Sequence, residues 1–414
     1  MCLKIVKQLR YIFDGSIGTF CVALIIDTIE IRIFTYEIED VGSYASGLKF
    51  AYEPGQTTTR EIVSIKIQTN SGPTGEYVSL YSPTYIVDQI GLVAEYLVGS
   101  NALERERLWS EIKRSMRQYD RMAMGPIDIV LWDIAGKHYS VPVHELLGTY
   151  RHHLPVYAST YPGDFDGGLD SPEAYADFAE ECSDLGYPAF KLHTWGGDRD
   201  RRDIDREIAT VRAVGSRVGD EMELMLDPSC EYETFLDALV VGRACDEHDF
   251  LWYEDPYSDG GLSQHGHRKL ADQLRTPILQ TEHIRGLEPH TDFVANNATD
   301  ILRADPEYDA GITGAMKIAH VAEGFGIDVE YHAPGPAQRH CMAATRNSNY
   351  YELGLVHPDC ENNKPQAIYT SDYEDRLESV NSDGTVPVPT GPGLGVTYDW
   401  DYIEKNTTRV VRYS

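Results

Sequence analysis

Residues 189–197, AFKLHTWGG, set an amine and an imidazole two positions apart at the end of a short apolar run. In an extended strand, positions i and i+2 face the same side, so Lys191 and His193 project together beyond the strand end. Similar apolar runs close on other ionisable residues: Asp227 in MLDPS, Glu254 in WYEDP, Glu282 in LQTEH, Asp305 in LRADP, His332 in VEYHA and Glu352 in YYELG. One such residue means little, because strands often finish in a solvated Asp or Glu. Three carboxylates on successive strands, Asp227, Glu254 and Glu282, repel one another in a partly buried site unless a cation joins them. Oxygen donors with open positions suit Mg2+, which keeps waters or substrate oxygens in its octahedron. No cysteine is expected where it would make this a zinc site.

The runs that carry these residues alternate with helix-like segments. LPVYAS, PAFKLH, MELMLD, DFLWYED, PILQTEH, TDILRAD, IDVEYHA and NYYELGL are separated by stretches such as SPEAYADFAEECSDLG and GITGAMKIAHVAEGFG. Repeated βα units imply parallel strands, and eight of them imply a closed (β/α)8 barrel with its chemistry at the strand C-termini. An open doubly wound sheet is the alternative, but no G-x-G-x-x-G follows the first strand. Upstream, IEIRIFTYEI alternates as a half-buried strand does, GSYASGLKFAYEPG reads as a loop, and REIVSIKIQTNSGPTGEYVSLY reads as strand, turn, strand. Helical segments follow. The expected organisation is therefore an N-terminal extension (1–27), an α+β capping domain (28–153), a barrel (154–355) and a C-terminal segment (356–414) packing back on the capping domain.

A formal charge of -30 over 414 residues, with a pI near 4.7, repels nucleic acid and acidic membrane surfaces. The acidity is spread along the chain and lysine is scarce, which suits a salt-rich cytoplasm. Seven scattered cysteines without a CxxC pair argue against a disulfide framework and for a reducing, cytoplasmic setting. MCLKIVKQLR followed by IGTFCVALII loosely has the order of a signal peptide, but Asp14 and Gly15 interrupt it and the apolar run is too short to span a bilayer. An extension is expected there, with a targeting role as the alternative.

The ordered series Lys-x-His, Asp, Glu, Glu, Asp, His, Glu, together with WYEDP, ADPEYDAGITGAMKIAHVAE and MGPIDIVLWDIAGKHYSVPVHELLG, resembles the enolase superfamily in its mandelate racemase/muconate lactonizing enzyme-like subgroup. The resemblance covers most of the chain beyond residue 28. It implies a modified (β/α)7β barrel under an N-terminal α+β cap. It also implies Mg2+, one per subunit, on Asp227, Glu254 and Glu282, with Asp305 and His332 as an acid/base dyad and Glu352 as an acid that hydrogen-bonds the substrate carboxylate. The capping loop would close over the barrel mouth, bringing Tyr44 or Tyr52 to the substrate.

The chemistry stands beside the resemblance. A proton alpha to a carboxylate is a weak acid because its loss adds charge to a charged group. A divalent cation and Lys191 against that carboxylate stabilise the enediolate. His332 suits a base, with imidazole titrating near 6.5, and Asp305 would fix its tautomer. Many family members carry Lys-x-Lys where this chain has Lys191-x-His193. His193 could serve as acid/base, as a hydrogen-bond donor to a substrate hydroxyl, or as a structural histidine. His283 could face the site or lie behind it, Cys230 and Trp195 read as packing or pocket wall, and His265 and His267 read as solvent-facing.

The expected activity is dehydration of an aldonate or aldarate to a 2-keto-3-deoxy acid. Two histidines suit an anti elimination, whereas His332 alone suits a syn one. Racemisation, epimerisation or cycloisomerisation through the same enediolate is the alternative. A non-catalytic metal-stabilised scaffold would leave gaps in the series, and only the Lys to His change is seen. The expected partner is a small sugar acid or other carboxylate, with no nucleic acid and no membrane, and the chain is expected to form a homo-oligomer, dimer to octamer.

Overall fold

The computed structural model describes residues 23–43, 50–81, 83–164, 167–193, 203–361 and 365–414. Most of the 1–27 extension, Tyr44 and Trp195 lie outside the described residues. Two long strands, β1 (Ile26–Ser43) and β2 (Phe50–Thr69), pair antiparallel with Ile31 opposite Ile65 and Ile33 opposite Val63. They form a four-stranded sheet with β3 (Gly75–Ser79) and the C-terminal β13 (Thr407–Tyr413), in the order β13-β1-β2-β3. Alternation along β1 buries Ile29, Ile31 and Ile33, then switches to Phe34, Tyr36 and Ile38. The switch falls where the pairing with β13 slips by one residue, as a bulge does. The first set joins the main core with Ile86 and Ile90 of α1 (Pro83–Leu97), while the second packs on Ile368, Tyr398 and Ile403 of the C-terminal segment. Much of the stretch expected as a loop is therefore a paired ribbon, with Val41 opposite Tyr52.

Helices α2 (Arg105–Ser115), α3 (Met124–Tyr139) and α4 (Val143–Leu147) lead into eight parallel strands. These are β4 (His153–Thr160), β5 (Ala189–His193), β6 (Glu223–Asp227), β7 (Trp252–Glu254), β8 (Ile278–Gln280), β9 (Ile301–Ala304), β10 (Asp328–Tyr331) and β11 (Tyr351–Val356). Among the described residues seven helices connect them: α5 (Pro172–Leu185), α6 (Ile204–Val218), α7 (Phe235–Glu247), α8 (Gln264–Ala271), α9 (Leu287–Ala295), α10 (Gly311–Phe325) and α11 (Pro336–Ala344). Side-chain oxygens of Ser171, Asp203, Thr234 and Ser263 cap α5, α6, α7 and α8. The order β11-β4-β5-β6-β7-β8-β9-β10 curls the sheet into a (β/α)7β barrel. Strand β12 (Thr385–Pro387) pairs with β4, and α12 (Trp400–Lys405) precedes β13. No helix among the described residues is long and apolar enough to cross a membrane.

Inside the curl, Tyr157, Ala189, Met225, Trp252, Leu279 and Ile301, one from each of β4 to β9, form a buried apolar plug. Among the described residues no ladder joins β10 to β11. There the buried Glu330 carboxylate accepts the backbone N–H groups of Asn349 and Tyr350 and the Asn349 side-chain amide.

Burial pushes the Glu330 carboxyl from an ordinary 4.5 up to about 7. A group raised on folding contributes stability that is complete below its unfolded value and lost as pH rises through its folded one. Glu330→Gln has no proton to lose, so it should lag furthest behind wild type at pH 5 and close the gap by pH 8. The closure should amount to a few kcal/mol, because each tenfold change in proton affinity is worth about 1.4 kcal/mol. Denaturant titrations at both pH values measure it, and a gap that widens with pH would reject this account.

Candidate active site

Two residues beyond the apolar plug the strands turn polar, and the period of two keeps the same inward face. Lys191 follows Ala189, Asp227 follows Met225, Glu254 follows Trp252 and Arg303 follows Ile301. Lys191 Nζ lies 3.0 Å from Glu254 Oε2, 3.1 Å from Glu352 Oε1 and 3.3 Å from Asp227 Oδ2. Arg303 Nε lies 2.8 Å from Glu254 Oε1, and its Nη2 donates to Glu352 Oε2 at 2.8 Å and to Tyr157 Oη at 3.0 Å. All of these groups are buried. Burial works against the Lys191 charge, but Glu254 and Glu352 outweigh it and hold the ammonium well above the ordinary lysine value. Burial likewise opposes an ionised Glu352, and Lys191 and Arg303 still hold it well below the carboxylate range. Its oxygens accept from Lys191, Arg303 and the Ala333 N–H. Glu352 thus braces Lys191 and Arg303 at the position where the resemblance implies an acid.

Asp227, Glu254 and Glu282 each offer a carboxylate oxygen, all within 4.8 Å of one another. Burial pushes the Glu254 carboxyl up, Arg303 and Lys191 oppose this, and Asp227 and Glu282 add to it. An oxygen-only set of three fits a hard divalent cation such as Mg2+ with positions left for water or substrate. Asp227 is fixed by the Ser229 N–H at 2.7 Å and by His193 Nε2 at 3.1 Å.

His332 Nδ1 lies 2.7 Å from Asp305 Oδ2, and His332 Nε2 lies 3.3 Å from Glu282 Oε1. Burial disfavours the imidazolium, but Glu282 and Asp305 prevail and raise the His332 pKa. Tyr308 stacks on the imidazole, ring centroids 5.5 Å apart. Asp305 also accepts the Tyr81 hydroxyl at 3.0 Å and the Glu307 N–H at 2.7 Å. His193 stands on the other side of the carboxylates. Its backbone N–H donates to Thr160 Oγ1 and its carbonyl accepts the Tyr175 hydroxyl.

Eight of the residues singled out from sequence thus converge: Lys191, His193, Asp227, Glu254, Glu282, Asp305, His332 and Glu352. His283 faces the carboxylates, with Nε2 at 3.3 Å from Asp255 Oδ2 and 3.7 Å from Glu282 Oε1. Tyr52 packs on His357 (centroids 4.5 Å apart) and donates its N–H to Asp164, which pairs with His357 at 2.8 Å. His265 is exposed, but His267 is buried, its Nδ1 on the Ser263 carbonyl at 2.8 Å and its ring against Tyr257. Cys230 is a half-buried neighbour of Asp255 and His283, so a cysteine does lie among possible ligands, though in a separate group from the triad.

Arg303 and Tyr81 were not found from sequence. Arg303 had a signal: it is the one charged residue inside ILRA, two positions before Asp305. Arg303→Met should leave Glu254 and Glu352 partly uncompensated and cost about 3–5 kcal/mol, the usual penalty for breaking a buried pair. Denaturant unfolding measures this, and a loss under about 1 kcal/mol, the scale of an exposed pair, would show that Lys191 alone compensates the cluster.

Residues 174–402 match the family described as enolase C-terminal domain-like, and residues 46–148 match the mandelate racemase / muconate lactonizing enzyme N-terminal domain. The fold is similar to the crystal structure of D-glucarate dehydratase from Agrobacterium tumefaciens complexed with magnesium. That likeness has a TM-score of 0.84 and 31% identity over 94% of this chain and 100% of that one. D-gluconate dehydratase of Thermoproteus tenax is 26% identical over 291 residues, 68% of this chain, and the match spans 56% of that relative's length. D-galactarolactone cycloisomerase of Agrobacterium fabrum is 25% identical over 358 residues, 83% of this chain and 90% of the relative.

Proposed function

The chain belongs to the mandelate racemase/muconate lactonizing enzyme family with its enolase-type C-terminal domain, and from that premise we propose that it is a Mg2+-dependent dehydratase of aldonates or aldarates. The observation that carries the proposal is the placement of two histidines against a carboxylate triad, His332 beside Glu282 and His193 beside Asp227. Strands β5 and β10, which carry or adjoin them, are separated in the sheet order by β6 to β9 on one side and by β4 and β11 on the other. Acid and base can thus approach a substrate from opposite walls. The relatives named for glucarate and gluconate support the substrate class.

When bound, Mg2+ on Asp227, Glu254 and Glu282 would supply positive charge to the substrate carboxylate as its alpha proton leaves. Lys191 adds a fixed ammonium there, kept charged and aimed by Glu254 and Glu352. His332 takes the alpha proton on Nε2. Asp305 holds the Nδ1–H tautomer and stabilises the imidazolium that forms. His193 donates a proton to the departing beta hydroxyl, which leaves as water. The enol then tautomerises to the 2-keto-3-deoxy acid as a proton is delivered to carbon 3. The cycloisomerase relative favours one second reading, in which the same enediolate closes or opens a ring without losing water.

A panel of mono- and diacid sugars, assayed with Mg2+ at low and high salt, should yield a 2-keto-3-deoxy product that a chelator abolishes. Turnover without 2-keto acid formation would select the isomerase reading. His332→Asn should eliminate alpha-proton exchange in deuterated water, with rate losses of at least about 100-fold, the low end for a general base. An active variant would sink the dyad assignment. For His193→Asn, turnover should vanish while alpha-proton exchange persists; loss of both would make His193 the base instead.

A further inference from the structure

We propose that Cys230, Asp255 and His283 form a second divalent-cation site, suited to Zn2+, beside the oxygen triad. A thiol sulfur, an imidazole nitrogen and a carboxylate oxygen of these residues lie within 4.8 Å of one another. His283 Nε2 and Asp255 Oδ2 are 3.3 Å apart, the edge of a tetrahedron whose metal–ligand bonds are about 2.0–2.1 Å, as for zinc with nitrogen and oxygen. A sulfur donor selects against Mg2+ and for Zn2+ and its neighbours in the first transition row. Three protein ligands with a partly exposed imidazole leave a fourth position open to water.

Asp255 supplies the independent reason for a cation. It is 1% exposed, and neither of its carboxylate oxygens accepts a hydrogen bond among the described residues. Glu282, Glu254 and Asp227 crowd Asp255 with like charge. Asp255 takes no hydrogen bond from Lys191 or Arg303 and, among the described residues, pairs with His283 alone. The turn Asp227–Cys230 brings the sulfur across. Ser229 and Cys230 both take left-handed backbone angles (φ 50 and 63), and the Cys230 N–H donates to the Asp255 carbonyl at 2.7 Å.

The test uses the full chain, reduced, stripped of metal and saturated with Mg2+, then titrated with Co2+ as a spectroscopic substitute for Zn2+. Wild type should bind one further equivalent of Co2+, with a thiolate-to-cobalt charge-transfer band that Zn2+ displaces. Cys230→Ser should lose the band and His283→Gln should lose at least tenfold in Co2+ affinity, each keeping its circular dichroism spectrum. Should either variant fail to fold, the other decides. Absence of the band in wild type, or its persistence in Cys230→Ser, overturns the site and leaves His283 as the counter-ion of Asp255. Asp227→Asn separates this from the Mg2+ reading: it should lose Mg2+ binding and keep the thiolate band, and a lost band would overturn the independence of the two sites.

Discussion

Charge compensation at the strand ends is the constraint on which the rest of the structure depends. Glu254 is fully buried among other carboxylates, and a lone buried charge would cost several kcal/mol. Lys191 and Arg303 meet this by sharing: each touches Glu254 and Glu352 together, from strands β5 and β9. No local piece of chain could make such an arrangement, since Lys191 and Glu254 are 63 residues apart and Arg303 and Glu352 are 49. Parallel strands can, because each contributes one inward position per layer. The apolar layer from Tyr157 to Ile301 supplies the dry floor that makes the ionic layer above it rigid.

The capping sheet takes part in the same constraint from outside. Glu307, two residues past Asp305, accepts hydrogen bonds from Tyr77, Ser79 and the Leu80 N–H, so the end of β3 grips the loop after β9. Tyr81 follows directly and donates to Asp305. Gly125 of α3 lies so close to the Glu307 backbone that a Cβ would collide with its carbonyl. Burial lifts the Glu307 carboxyl to about 7, with Asp305 adding to the rise. The Asp305–His332 pair is thus positioned by cap and barrel jointly.

The strand-end series was legible because each member closes a short apolar run, and a period of two predicts a common face. Arg303 was hidden by the same pattern: in a strand buried on both faces, periodicity does not say which side meets the barrel axis. Tyr81 was hidden because its contact with Asp305 spans 224 residues. Cys230 depends on two consecutive left-handed residues that no motif announces. His267 shows the limit of reading polarity as exposure: at the fourth position of α8 its ring packs against Tyr257 and near Phe293, while its Nδ1 finds the Ser263 carbonyl. The paired ribbon was missed because glycine, proline and tyrosine in GSYASGLKFAYEPG resemble loop chemistry, whereas Gly42 and Tyr52 each take part in the pairing of β1 with β2 and, within this stretch, the register shifts only around Pro54 and Gly55.

The departure at position 193 follows from the same charge balance. Asp227 already has Lys191 at 3.3 Å, and its second neighbour is the imidazole at 3.1 Å. A lysine there would be another strong cation on a carboxylate of the oxygen triad. An imidazole meets the carboxylate through a single ring nitrogen, Nε2. His193 is held at both ends of its backbone unit by Thr160 and Tyr175. On the dehydratase proposal such a group is needed on the wall facing the base, because the hydroxyl leaves as water only if a proton is delivered to it.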